Sequence, residues 1–98
     1  MMNEWLITYD VSVVSVGGRR RLRRIAKLCE GHGQRVQYSV FECRLTESQF
    51  VILWEKLIKT IHEQEDTIRA YRLVEPRERF VQTAGRAVPF DLRGPLVV

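Results

Sequence analysis

The sequence predicts an α+β fold: a ferredoxin-like split βαβ sandwich with an additional C-terminal strand or tail, dimerising sheet to sheet. Three observations carry this expectation. The predicted elements run strand, helix, strand, strand, helix, strand. The hydrophobic period switches from a strand-like run at residues 5–11 to helical spacing from Arg19. A capping box, Thr46-Glu47-Ser48-Gln49, opens the clearest apolar stripe in the chain. The 98 residues suit one domain. Residues 1–78 are expected to form the core and residues 79–98 a tail.

Trp5-Leu6-Ile7-Thr8-Tyr9-Asp10-Val11 is rich in aromatic and β-branched residues, which suits a central strand. A loop with two adjacent glycines, Gly17 and Gly18, follows. From Arg19, the residues Leu22, Ile25, Ala26, Leu28 and Cys29 recur at helical spacing, with Arg20, Arg21, Arg24 and Lys27 mainly on other faces. Gly31 or Gly33 is expected to end that helix. Residues 35–45 are too long for one ordinary strand. They read either as two strands joined by a tight turn near Tyr38-Ser39-Val40 or as one bent strand, because the turn carries no Gly, Asn or Pro.

In the second helix the apolar stripe is Phe50, Leu53, Trp54, Leu57, Ile58 and Ile61, with Glu55, Lys56 and Lys59 on the wet side. Residues 67–74 form the last core strand, which Pro76 ends. Both helices then cover one sheet face. Apolar residues on both sides of the first strand call for a cover on the other face, and a second copy of the chain is the simplest one. The tail carries Val81, Ala87, Val88, Phe90, Leu92, Leu96, Val97 and Val98. It is expected either to lie across its own domain or to add an edge or swapped strand.

Charge narrows the function. Between residues 17 and 45, eight basic residues face two acidic ones, whereas from Thr46 onward the signs balance at eight each. Such a local excess steers and binds polyanions. Arg19, Arg20, Arg21, Arg23 and Arg24 place five arginines in six positions. They sit at a helix start, where the dipole disfavours positive charge, so phosphate is the natural counter-charge. Arginine meets phosphate with paired donors. One or two of these arginines are expected to hold Glu30, Glu42 or a partner's carboxylate instead.

Other chemistries lack their motifs. Cys29 and Cys43 form no Cys-x-x-Cys pair, and His32 and His62 are isolated. Gly17-Gly18 has no Lys-Ser/Thr after it, so it is not a nucleotide-hydrolase phosphate loop. Ser39 has no nearby base to make it a nucleophile. No secretory signal or membrane-spanning run stands out. The expectation is a cytoplasmic protein with two buried thiols and no membrane partner. Asp10 has two readings. It is either a ligand for Mg2+ or Mn2+, shared across a two-fold axis, or a strand-end acceptor for loop amides. Residue chemistry alone favours the second.

Tyr9-Asp10-Val11, Arg19 to Leu28 with Cys29-Glu30, and Gly33-Gln34-Arg35-Val36-Gln37-Tyr38-Ser39-Val40-Phe41-Glu42-Cys43 occur here in that order. Thr46-Glu47-Ser48-Gln49 and Asp66-Thr67-Ile68-Arg69 follow them. Together they resemble the small CRISPR-associated subunit of the spacer-acquisition (adaptation) complex, over residues 4–75. The resemblance implies a homodimer with facing sheets. It also implies a partner, the CRISPR integrase subunit, whose dimers this dimer bridges while holding a duplex prespacer. Some members are described as metal-dependent endonucleases on single-stranded RNA or double-stranded DNA. The resemblance then makes Asp10 the catalytic residue and metal ligand. It places Tyr9, Arg20, Arg35, Ser39 and Phe41 in the same cleft, and the basic run itself adds Arg19, Arg21 and Arg24 as expected nucleic-acid contacts. In one respect the chain departs from the pattern. Many relatives carry acids in the loop after the first strand, and here residues 12–18 carry none. That favours a scaffold over a hydrolase.

Overall fold

A computed structural model describes residues 1–86 of the chain. Its elements are β1 (Asn3–Asp10), α1 (Gly18–Glu30), β2 (Gly33–Gln37), β3 (Val40–Leu45), α2 (Glu47–Thr60) and β4 (Thr67–Arg72). A short 3-10 turn at Arg77–Arg79 comes after them. The sheet runs β2-β3-β1-β4, with every neighbouring pair antiparallel. This is the split βαβ order expected from the sequence. The stretch left open as one strand or two is two strands, and Tyr38-Ser39 is the turn between them. The register shifts between Arg35 and Gln37, an irregularity in β2 just before that turn.

Strand alternation sorts β1 into two faces. Trp5, Ile7, Tyr9 and Val11 point to the helices and are buried with Phe41, Cys43 and Leu45 of β3. Ile25, Ala26 and Cys29 of α1 and Leu53 and Leu57 of α2 close that core. Trp5 stacks on Phe50 with ring centroids 3.8 Å apart, which ties β1 to α2. Both thiols are buried, as expected. The opposite parity of β1 (Glu4, Leu6, Thr8, Asp10) belongs to the face that no helix among the described residues covers.

The cap of α2 matches the sequence. Thr46 Oγ1 accepts from the Gln49 amide at 3.1 Å, and the Gln49 side chain accepts from the Thr46 amide at 2.9 Å. The stripe needs one correction. Ile58 is 49% exposed, and Val51 and Ile52 are exposed with it. The buried seam is narrower, centred on Leu53 and Leu57 and flanked by Phe50, Trp54 and Ile61. The start of α1 explains the glycine pair. Gly17 adopts φ +79, and a Cβ on Gly18 would stand 1.9 Å from the Ser12 carbonyl oxygen. Residues 87–98, with the tail's expected strand, lie outside the described residues.

Candidate nucleic-acid interface

The α1 sequence divides into two stripes. Leu22, Ile25, Ala26 and Cys29 face the core, at helical spacing. Arg20, Arg23, Arg24 and Lys27 fall at the complementary i, i+3, i+4, i+7 positions, and all four are exposed. The basic row runs about 10 Å along the helix. Arg19 is also exposed, one position before the row. Of the five arginines in the run, Arg19, Arg20, Arg23 and Arg24 are therefore available to a polyanion. Lys27 joins them on geometry.

Arg21 does not belong to that row. Its Nε donates to Asp66 Oδ2 at 2.7 Å, and its Nη2 donates to Ser15 Oγ at 2.9 Å and to Asp66 Oδ1 at 3.3 Å. Glu65 lies 3.6 Å away, and Arg21 Nη1 donates to the Val16 carbonyl at 3.1 Å. Arg21, expected to meet phosphate, is here engaged by carboxylates. The carboxylates that engage an arginine of this run are Asp66 and Glu65, neither of which was foreseen. Glu42 is held by Arg77 instead.

Asp66 stands in one of the segments that carry the resemblance, but the sequence assigns it no role. Its side chain is fully buried. Besides Arg21, it accepts from the Ser12 amide at 3.1 Å and the His62 amide at 2.8 Å. Burial pushes its carboxyl up, but the Arg21 hydrogen bond, the two amides and the Arg21 charge outweigh burial and hold it below the ordinary carboxylate value. The loop-amide acceptor that Asp10 was weighed for is thus Asp66. Asp10 itself is exposed at the end of β1, paired in register with Thr67.

Tyr9, Arg35 and Phe41 are brought together, but on the helix side. They are 6%, 4% and 0% exposed. The Arg35 guanidinium lies 5.1 Å from the Phe41 ring centroid, and the Tyr9 and Phe41 rings are 6.3 Å apart. This corrects the expectation that they share a cleft with Asp10. Adjacent residues of one strand point to opposite faces, so Tyr9 and Asp10 part company. Burial pushes the Tyr9 phenol up to about 12, with the nearby Arg35 charge opposing it. Tyr9 Oη and Arg35 Nε nonetheless lack a hydrogen-bonding partner among the described residues. Ser39 sits nearer Asp10, because its carbonyl accepts from the Tyr9 amide at 3.1 Å. The end of β1, the Ser39 turn and the start of α1 therefore meet at one end of the sheet.

Among the described residues no three His, Cys, Asp or Glu side chains cluster as a metal site. None of the helices there is long and apolar enough to cross a membrane. The family model described as CRISPR associated protein Cas2 matches residues 2–79. The chain belongs to the Cas2 family. A Moorella thermoacetica protein named CRISPR-associated endoribonuclease Cas2 1 is 46% identical over 93 residues, 95% of this chain and 97% of that one. A Halalkalibacterium halodurans protein named CRISPR-associated endonuclease Cas2 is 45% identical over 92 residues, 94% and 96% of the two chains. The crystal structure of Streptococcus pyogenes Cas2 at pH 6.5 superposes with a TM-score of 0.77 at 48% identity, covering 87% of this chain and all of that one. Cas2 relatives thus carry both names, endoribonuclease and endonuclease, on one fold.

Proposed function

We propose that this chain is a non-catalytic DNA-binding scaffold in CRISPR spacer acquisition. As a homodimer it holds a duplex prespacer and bridges dimers of the integrase subunit. The observation that carries the reading is the row Arg20, Arg23, Arg24 and Lys27, exposed along one side of α1. Such a row meets successive phosphates and positions a duplex without reading its sequence. Arginines in it bind phosphate through paired donors.

The second reading is a metal-dependent endonuclease acting on single-stranded RNA or double-stranded DNA. The names of the relatives favour it. Asp10 is an exposed carboxylate, the donor type that Mg2+ and Mn2+ prefer. One carboxylate per chain is a small donor set, so the ion would be held by Asp10 from both protomers. The metal would supply an activated water. The acid-free loop of residues 12–18 adds no further ligand carboxylate, which ranks this reading second.

One experiment separates them. Wild type, Asp10→Ala and an Arg20/Arg23/Arg24→Ala triple variant are assayed for duplex binding across a salt series, and for cleavage of duplex DNA and single-stranded RNA with Mg2+, Mn2+ or chelator. The scaffold reading expects tight, salt-sensitive duplex binding by wild type and Asp10→Ala alike. In the triple variant the slope of log affinity against log salt should fall by about 3 per protomer. Metal-dependent cleavage lost in Asp10→Ala, with the dimer intact, replaces the scaffold by the nuclease.

A further inference from the structure

Asp66 links three segments of the fold beside the basic row. Its two oxygens take hydrogen bonds from the β1–α1 loop (Ser12), from α1 (Arg21) and from the segment just after α2 (His62). It also immediately precedes Thr67, the register partner of Asp10. Arg21 extends the link, since it donates to Ser15 and to the Val16 carbonyl of the same loop. The loop that delivers the chain from the sheet to α1 is thereby pinned at three of its residues, Ser12, Ser15 and Val16. The loop also holds itself, with Ser15 Oγ donating to the Ser12 carbonyl and the Gly18 amide donating to the Ser15 carbonyl, each at 3.1 Å, while Val14 and Val16 are almost fully exposed.

We propose that Asp66 is a positioning residue for the nucleic-acid surface. Through Arg21 it fixes the start and the rotation of α1, so that Arg20, Arg23, Arg24 and Lys27 face outward together. The proposal rests on the scaffold reading of that surface. Arg21 serves this purpose without touching the ligand, although it lies within the same run of arginines. A rotation of α1 by one residue, about 100°, would turn the basic row away from its direction. An anchor placed in the first turn resists that rotation most directly. Asp66 suits the task because Arg21 and two backbone amides hold its carboxyl below the ordinary carboxylate value against burial, and because a charged acceptor with several donors tolerates little displacement.

The test uses the full chain in four variants: Asp66→Asn, Arg21→Met, the double variant, and Leu57→Ala as a control that destabilises the core away from the loop. Duplex affinity and its salt slope are measured at a temperature where circular dichroism shows every variant folded and sedimentation shows an unchanged oligomeric state. The expected result is duplex binding about tenfold weaker in Asp66→Asn and in Arg21→Met, with the double variant no weaker than either single, because both remove one link. Leu57→Ala should bind as wild type does. Tighter binding by Asp66→Asn, with a slope steeper by about one, would mean that Asp66 merely neutralises Arg21, and would overturn the proposal. Equal weakening by Leu57→Ala, or unchanged binding in Asp66→Asn, would overturn it too while leaving the scaffold reading in place. Failure of the wild type to bind duplex would remove both.

Discussion

Arg77 reaches from the segment after β4 to Glu42 on β3, its Nε donating to Glu42 Oε1 at 2.9 Å. The same guanidinium pairs with Glu4 on β1, and the Arg77 amide donates to Glu4 Oε2 at 3.1 Å. One arginine thus joins two strands on the face that no helix among the described residues covers. Glu4 is 7% exposed as a residue, so loss of its partner strands a nearly buried carboxylate.

Arg77→Ala should therefore lower stability by about 2 kcal/mol. It should also speed proteolysis between residues 74 and 79. Urea denaturation and limited digestion check this. Arg77→Lys should recover only part of the loss, because an ammonium cannot reproduce the fork that spans both carboxylates.

Alkaline stability should depend on the core thiols. Burial pushes Cys29 up to about 12, with the Cys43 charge adding to it, and burial pushes Cys43 up to about 11. An unfolded thiol titrates near 9.0. The folded state favours the neutral form, so this contribution is constant below about pH 9 and is lost as pH rises toward the folded values. Urea midpoints should fall from pH 9 upward, and the fall should be shallower in Cys29→Ala/Cys43→Ala. Below pH 9, a thiol reagent should label the native protein only as fast as it opens.

Arg35→Met should melt at or above the wild-type temperature. The guanidinium is buried over Phe41 with its Nε unsatisfied, and a flexible apolar side chain of similar length fills the same space without a charge. Thermal melting decides the point. A drop of several degrees would show that the charge holds a partner the core needs. Phe41→Ala, by contrast, should cost about 3–5 kcal/mol, because that ring has no exposed surface and touches both Tyr9 and Arg35.

The sequence makes the helices legible through their period, and α2 through its cap at Thr46. The β2–β3 turn is harder to read because Tyr38-Ser39 has no Gly, Asn or Pro, and Ser39 alone is a weak turn signal. The basic row can be read from α1 once Leu22, Ile25, Ala26 and Cys29 are assigned to the core, since Arg20, Arg23, Arg24 and Lys27 then fall opposite. Arg21 and Asp66 are not legible in this way. Their pairing joins positions 45 apart in the chain, and the Ser12 amide reaches Asp66 across 54. Nothing local in either segment announces the other. Tyr9, Arg35 and Phe41 resemble site residues as neighbours in a motif, but the pleat turns them inward.

That pleat makes the length of β1 a constraint as strict as its composition. Tyr9 belongs to the core and Asp10 to the open side only because the strand is counted from its pairing with Leu45 at Asn3. A single-residue insertion or deletion inside β1 would exchange their places, burying a carboxylate and exposing a phenol. Length variation in this family should therefore accumulate after residue 80, and substitutions, not insertions, should be the way β1 diverges.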